Sequence, residues 1–375
     1  MKKKAIILRG AKILCLVLCL ALLSGLCADL CQYHDYNVRK LAGFYAEHID
    51  SLDVVLLGAS DVFTDFSSGH AYDLYGFTSY PYALDAAPAT VHVSQLREIR
   101  KHQDPKWIVV EINGFLYDDP ALQTNSGSLR RYLNNIPVSI NWARTILEET
   151  PKDEWLYYFF PLAKDHSNWK TIPDQLEDVR ELAAIRLGGS VLKGNVSTMN
   201  CYEGPDHRDV SADLTRLPLE PMARQELIGF LEYCREEKIE NILFVRFPHV
   251  IATEESYERY CRGNEAGQII QEYGYDFVNL EREYAQIGLI AAEDFYNEDH
   301  TNYRGQQKLT EYFGRILVEE YGVTESQLTN VQKQDWDKAA DYSRRFYAYA
   351  EAQMAKGLTG TLMEDRETLA LLDAQ

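Results

Sequence analysis

Four short apolar runs, far apart and separated by stretches with helical periodicity, constrain this chain more than any other feature. They are Asp53-Val-Val-Leu-Leu-Gly58, Trp107-Ile-Val-Val-Glu-Ile112, Ile242-Leu-Phe-Val-Arg-Phe247 and Phe277-Val-Asn-Leu280. A strand that is apolar at successive rather than alternate positions buries both faces, and such strands joined by helices build parallel sheets. Helices are predicted between the runs at 89–102, 139–149, 173–186, 221–238 and 253–273, and after the last run at 304–321. The expected fold class is α/β: three layers, α/β/α, around a parallel sheet, in one main domain over 52–321.

Two regions depart from that alternation. The section 116–217 contains no convincing strand and is rich in aromatic residues, among them Trp155, Tyr157, Tyr158, Phe159, Phe160 and Trp169. It reads as a mostly helical insertion at the carboxyl ends of the strands, where α/β folds place their ligands. Core packing explains most of the 25 tyrosines, and those of the insertion are also suited to stacking on sugar rings. Beyond Tyr321, Trp336, Ala340, Ser343, Tyr347, Ala350 and Met354 recur at three- and four-residue spacing. That stripe predicts a docking helix within a C-terminal extension, 322–375, that frays at its end.

The first 28 residues form a basic stub and an apolar segment. Lys2, Lys3, Lys4, Arg9 and Lys12 precede an uncharged run from Ile13 to Ala28. Those 16 residues span about 24 Å as a helix, a little short of the roughly 30 Å hydrocarbon core, so a cleaved signal and a short anchor both fit the length. An anchor is expected, because Arg9 and Lys12 can snorkel to the interface and Ser24-Gly25-Leu26-Cys27 offers no small-residue cleavage site. Leu26 before Cys27 also argues against lipoprotein processing. The positive-inside rule then places the stub in the cytoplasm and everything after Asp29 outside, with a polar connector over 29–51.

Charge and motif content exclude several classes of function. With 57 acidic against 38 basic residues the chain carries a net charge of −19, which argues against nucleic-acid partners because phosphate contacts need clustered Lys and Arg. Of seven cysteines, Cys15, Cys19, Cys27 and Cys31 lie in or beside the apolar segment, leaving Cys201, Cys234 and Cys261. That set gives no disulfide framework. No spacing of metal-site type occurs, so no metal is expected, and Asp206, His207 and Asp209 read as a solvated loop. Phosphate-cradling glycine loops are likewise missing from the sequence, and no nucleotide cofactor is expected.

Chemistry points to two places. Gly58-Ala59-Ser60-Asp61 sets a serine on the turn just past a buried strand, where a nucleophile is exposed at the sheet edge. At the far end, Asp294-Phe-Tyr-Asn297-Glu-Asp299-His300-Thr-Asn302-Tyr-Arg-Gly305 leads into the last helix of the domain. His300 can therefore return beside the first strand and serve Ser60 as base. His249, after the third run, is a candidate substrate-binding residue at the same edge, or simply a strand-end turn.

These two blocks resemble those of the SGNH (GDSL-like) hydrolase superfamily, in particular its membrane-anchored extracytoplasmic members linked to acylation of cell-envelope polymers. The resemblance spans 52–321 and implies a flavodoxin-like parallel sheet. It implies that Ser60 is the nucleophile, that His300 is the general base, and that the oxyanion hole comes from the Ser60 amide with Gly76 and Asn113. The family places an aspartate three residues before the histidine, and here that position is Asn297, with Asp294 and Asp299 as alternative acids. The implied activity is that of an esterase or O-acyltransferase working through an acyl-serine on an envelope polysaccharide or teichoic acid, partnered by a membrane-bound O-acyltransferase. The alternative is a catalytically inactive relative that binds glycan or scaffolds an envelope assembly.

Overall fold

The computed structural model describes residues 2–32 and 34–360; the end of the C-terminal extension, 361–375, lies outside the described residues. Five strands, β1 (Val54–Gly58), β2 (Ser79–Ala83), β3 (Trp107–Glu111), β4 (Ile242–Arg246) and β5 (Asp276–Asn279), form one all-parallel sheet in the order β2-β1-β3-β4-β5. The doubly apolar runs account for it. Val55, Leu57, Ile108, Val110, Ile242 and Phe244 enter one buried cluster, while Val54, Leu56, Val109, Leu243 and Val245 enter another. Burying each such side chain contributes roughly 1.5–3 kcal/mol, so a sheet with both faces covered is the stable solution for these sequences.

β2 was not among the expected strands. Its sequence, Ser79-Tyr-Pro-Tyr-Ala, carries Pro81, which cannot donate to a ladder and is tolerated only at a sheet edge. An edge is where β2 lies, with Tyr80 and Tyr82 buried beneath it.

The helices follow the predicted segments closely: His92–His102, Ile140–Glu149, Ile172–Gly188, Pro221–Glu236, Glu254–Glu272 and Tyr303–Glu319. Their starts have chemical causes. Thr253 and Ser256 form a reciprocal capping box, and the Asn302 side chain accepts from the amides of Arg304 (2.9 Å) and Gly305 (3.3 Å). Between β3 and Pro221 the described residues hold helices and no strand. In the C-terminal extension the helix Asn330–Met354 buries Trp336, Ala340, Ser343, Tyr347 and Ala350 and packs on the helix Ser68–Tyr75.

At the amino end, Lys2–Cys31 is one helix, and its Arg9–Cys31 portion is long and apolar enough to be a membrane anchor or a signal sequence. The stretch expected as a polar connector contains instead the helix Tyr36–Ala46, capped by Asp35, with Leu41 and Phe44 buried against the sheet domain. All seven cysteines are free thiols.

Candidate active site

The strand order sets the location. The chain leaves β1, crosses to β2 on one side, then returns to β3 on the other, so the carboxyl end of β1 is a topological switch point, where such sheets hold ligands. Ser60 stands there, half-buried, two residues past β1 and immediately before the helix Asp61–Asp65.

The loop before Tyr303–Glu319 brings His300 to it. His300 Nε2 lies 2.6 Å from Ser60 Oγ, and Asn297 Oδ1 lies 3.0 Å from His300 Nδ1. Asn297 Oδ1 also accepts the Asp299 amide at 2.9 Å, which fixes the amide orientation. With the Nδ1 proton given to Asn297, Nε2 is the acceptor tautomer that a serine proton requires. Burial holds the His300 pKa below its ordinary value against the opposing pull of Asp61 and Asp299, so the ring is neutral at neutral pH. Tyr296 stacks on the imidazole at 5.3 Å between centroids.

Neither alternative acid is hydrogen-bonded to the imidazole. Asp294 Oδ2 accepts from the Ile290 amide (2.8 Å) and Lys308 Nζ (2.6 Å), and Asp299 pairs with Arg259 Nη1 at 2.6 Å. The loop itself is tied to the helix that follows Ser60 by Asp65, whose Oδ1 accepts from the Thr301 amide (3.0 Å) and hydroxyl (2.9 Å). Burial and the neighbouring Asp61 charge push the Asp65 carboxyl up to about 7.

Beneath the Ser60–His300 pair runs a buried chain of ionisable side chains. Asp61 Oδ1 lies 3.8 Å from His300 Nε2 and 3.5 Å from His249 Nε2, while its Oδ2 accepts from Asn113 Nδ2 at 2.8 Å. His249 Nδ1 is 3.0 Å from Glu281 Oε1, which also meets Arg246 Nε at 3.2 Å, and Arg246 Nη1 is 3.3 Å from Glu111 Oε1. Burial alone would raise the Asp61 pKa; the hydrogen bond and charge of His249, with His300 and Arg246, hold it below the ordinary carboxylate range instead. Burial and Arg246 both disfavour a charged His249, yet Asp61 and Glu281 raise its pKa to about 10. Burial, with Asp61 nearby, pushes Glu111 up to about 8. At neutral pH an ionised Asp61 therefore faces two imidazoles, one of them cationic.

Two expectations need correction. Gly76 is at the opposite end of the sheet from Ser60, before β2 begins: with φ 74° it caps the helix Ser68–Tyr75, and its amide donates to the Tyr72 carbonyl at 2.9 Å. The loop that does leave β2 beside Ser60 is Leu84-Asp85-Ala86-Ala87, in which Ala86 has φ 42° and Asp85 is held by the Tyr36 hydroxyl and Asn37 Nδ2. His249 is 3 % exposed, so it is a charge partner of Asp61 rather than a surface contact for substrate. The stretch with Asp206, His207 and Asp209 is a loop with both aspartates exposed, and within it the His207 ring is held: its Nδ1 accepts the Ile251 amide at 3.1 Å, and it stacks on Tyr284. Asn113 is brought to the site, with its amide side chain turned to Asp61.

Sequence reasoning missed Asp61, Asp65, Glu111, Arg246 and Glu281. A signal existed for two of them, because Glu111 and Arg246 each end an otherwise apolar strand run at the same edge. No protein-family model matches the chain, and no curated protein matches it either.

Proposed function

We propose that this chain is an SGNH-type serine esterase or O-acyltransferase with a three-layer α/β/α domain, working outside the cytoplasmic membrane on a cell-envelope glycan or teichoic acid. The observation that carries the reading is the Ser60 Oγ to His300 Nε2 contact of 2.6 Å, with Asn297 on the other ring nitrogen, at the carboxyl edge of a parallel sheet. Ser60 Oγ attacks the acyl carbonyl while His300 takes its proton. The tetrahedral adduct collapses, His300 returns the proton to the departing alcohol or thiol, and an acyl ester remains on Ser60. A sugar hydroxyl or water then attacks the acyl carbonyl while giving its proton to His300, the bond to Ser60 Oγ breaks, and His300 returns the proton to the Ser60 oxygen. Asn297 holds the ring but cannot balance the imidazolium charge; Asp61, ionised at 3.8 Å, supplies that charge from the Nε2 side.

Transfer is preferred to hydrolysis because the apolar N-terminal helix resembles the anchors of members that work beside a membrane-bound O-acyltransferase. The net charge of −19 favours a neutral polysaccharide over an anionic polymer as acceptor. Asn297 favours a second reading, a glycan-binding or scaffolding protein that keeps the fold without the reaction. Acid-quenching the chain during p-nitrophenyl acetate exposure and mapping its mass separates the two. Acetyl is expected on the Ser60 peptide and absent in Ser60→Ala; an unmodified wild-type chain with no nitrophenol release would favour the binding reading.

A further inference from the structure

We propose that the aromatic end of the insertion, Leu156, Tyr157, Phe160 and Trp169, lies in the headgroup region of the same phospholipid bilayer that the helix Lys2–Cys31 enters. The inference rests on reading that helix as a retained anchor. Between Arg9 and Cys27 every residue of the helix is exposed except Ser24, which is half-buried, while Ala28 and Cys31 are each 5 % exposed. These three residues mark one helical face, and the segments Leu162–Asp165, His166–Thr171 and Ile172–Gly188 pack on the helix. Asn168 Nδ2 donates to the Cys31 carbonyl at 3.0 Å, and Arg186 pairs with Asp29 at 2.9 Å.

Those contacts fix a height. The 23 residues from Arg9 to Cys31 measure about 34 Å as a helix, close to the roughly 30 Å of hydrocarbon they have to cross. Ala28, Asp29 and Cys31 lie in the last turn of that span, so a body packed on them stands at the outer leaflet boundary rather than clear of it.

The surface offered there has the matching chemistry. Leu156, Tyr157, Phe160 and Trp169 are 59, 39, 60 and 62 % exposed. Among the described residues the exposed large aromatic side chains are Tyr157, Phe160 and Trp169, all within 13 residues of one another; Trp169 lies in a segment that packs on the anchor, and Tyr157 and Phe160 come immediately before those segments. Trp and Tyr prefer the bilayer interface, where one part of the ring is apolar and another wet, and Lys164 and Lys170 beside them can reach lipid phosphates. In water these four large side chains would be left exposed.

Fluorescence of the full chain in nanodiscs, made with lipid brominated on its acyl chains or with the unbrominated lipid, tests this. The brominated lipid is expected to quench part of the emission of the five tryptophans, and Trp169→Phe to remove most of that quenching while Trp142→Phe leaves it. Quenching unchanged in Trp169→Phe, or none in the wild type, in a chain that resists alkaline carbonate would overturn the inference and leave the anchor standing. A chain that carbonate releases from membranes would overturn both.

Discussion

At His300 the proposed catalytic arrangement has an amide where a carboxylate is expected, and Asp61 offers the charge that the amide lacks. Two unit charges 3.8 Å apart interact by roughly 4 kcal/mol at an effective dielectric near 20, and the facing His249 cation cancels part of that. Asp61→Asn is therefore expected to lower kcat about 10- to 100-fold, with melting followed in parallel to separate a folding loss from a kinetic one. The pH profile gives a sharper reading. A general base must be neutral, and burial already depresses the His300 pKa, so the acid limb of kcat/KM is expected below about pH 6.5. Removing Asp61, which pulls that pKa up, should move the limb lower still; an unmoved limb would count against its role. The groups that also face the ring electrostatically, Asp299, His249 and Asp85, stay in place in this variant. Asn297→Asp is expected to raise kcat about tenfold and shift the limb upward. The gain should be smaller than the roughly 10⁴-fold an acid contributes to a triad that has no other carboxylate. Ser60, His300 and Asn297 were legible because a strand end and a helix start frame them. Asp61 stands beside Ser60 in the sequence, but its charge state depends on His249 and Arg246, which only the closed sheet brings near.

Elements were legible where the pattern was strong and lost where the local chemistry was permissive. β1, β3 and β4 announce themselves by continuous apolar runs; β2 hides behind Pro81, and its neglect led Gly76 to be matched to the wrong end of the sheet. The helix Tyr303–Glu319 illustrates how an element aims a side chain. A Cβ on Gly305 would run into the Asp294 carbonyl oxygen and the Thr301 side chain, both in the loop that carries His300. Gly305→Ala is expected to destabilise the protein by about 1–3 kcal/mol and to lower the melting temperature by several degrees. Because the displaced loop holds the proposed base, any esterase activity should fall further than the population of folded protein does. Equal losses would show that the glycine matters for packing alone.

On the scale of the whole molecule, the sheet brings together two residues 240 positions apart in the chain. In the proposed reaction neither works without the other, because the Ser60 hydroxyl is an ordinary weak nucleophile unless His300 accepts its proton. The fold class was readable from alternation of strand runs and helices, whereas the packing of the insertion on the N-terminal helix was not, since it depends on contacts such as Asn168 with Cys31 across 137 positions. The most direct test is fluorophosphonate labelling of the detergent-solubilised full chain. Covalent label on Ser60, lost in both Ser60→Ala and His300→Ala, is the expected result. A wild-type chain that takes no label, or one whose label persists in Ser60→Ala, would contradict an activated serine at this site.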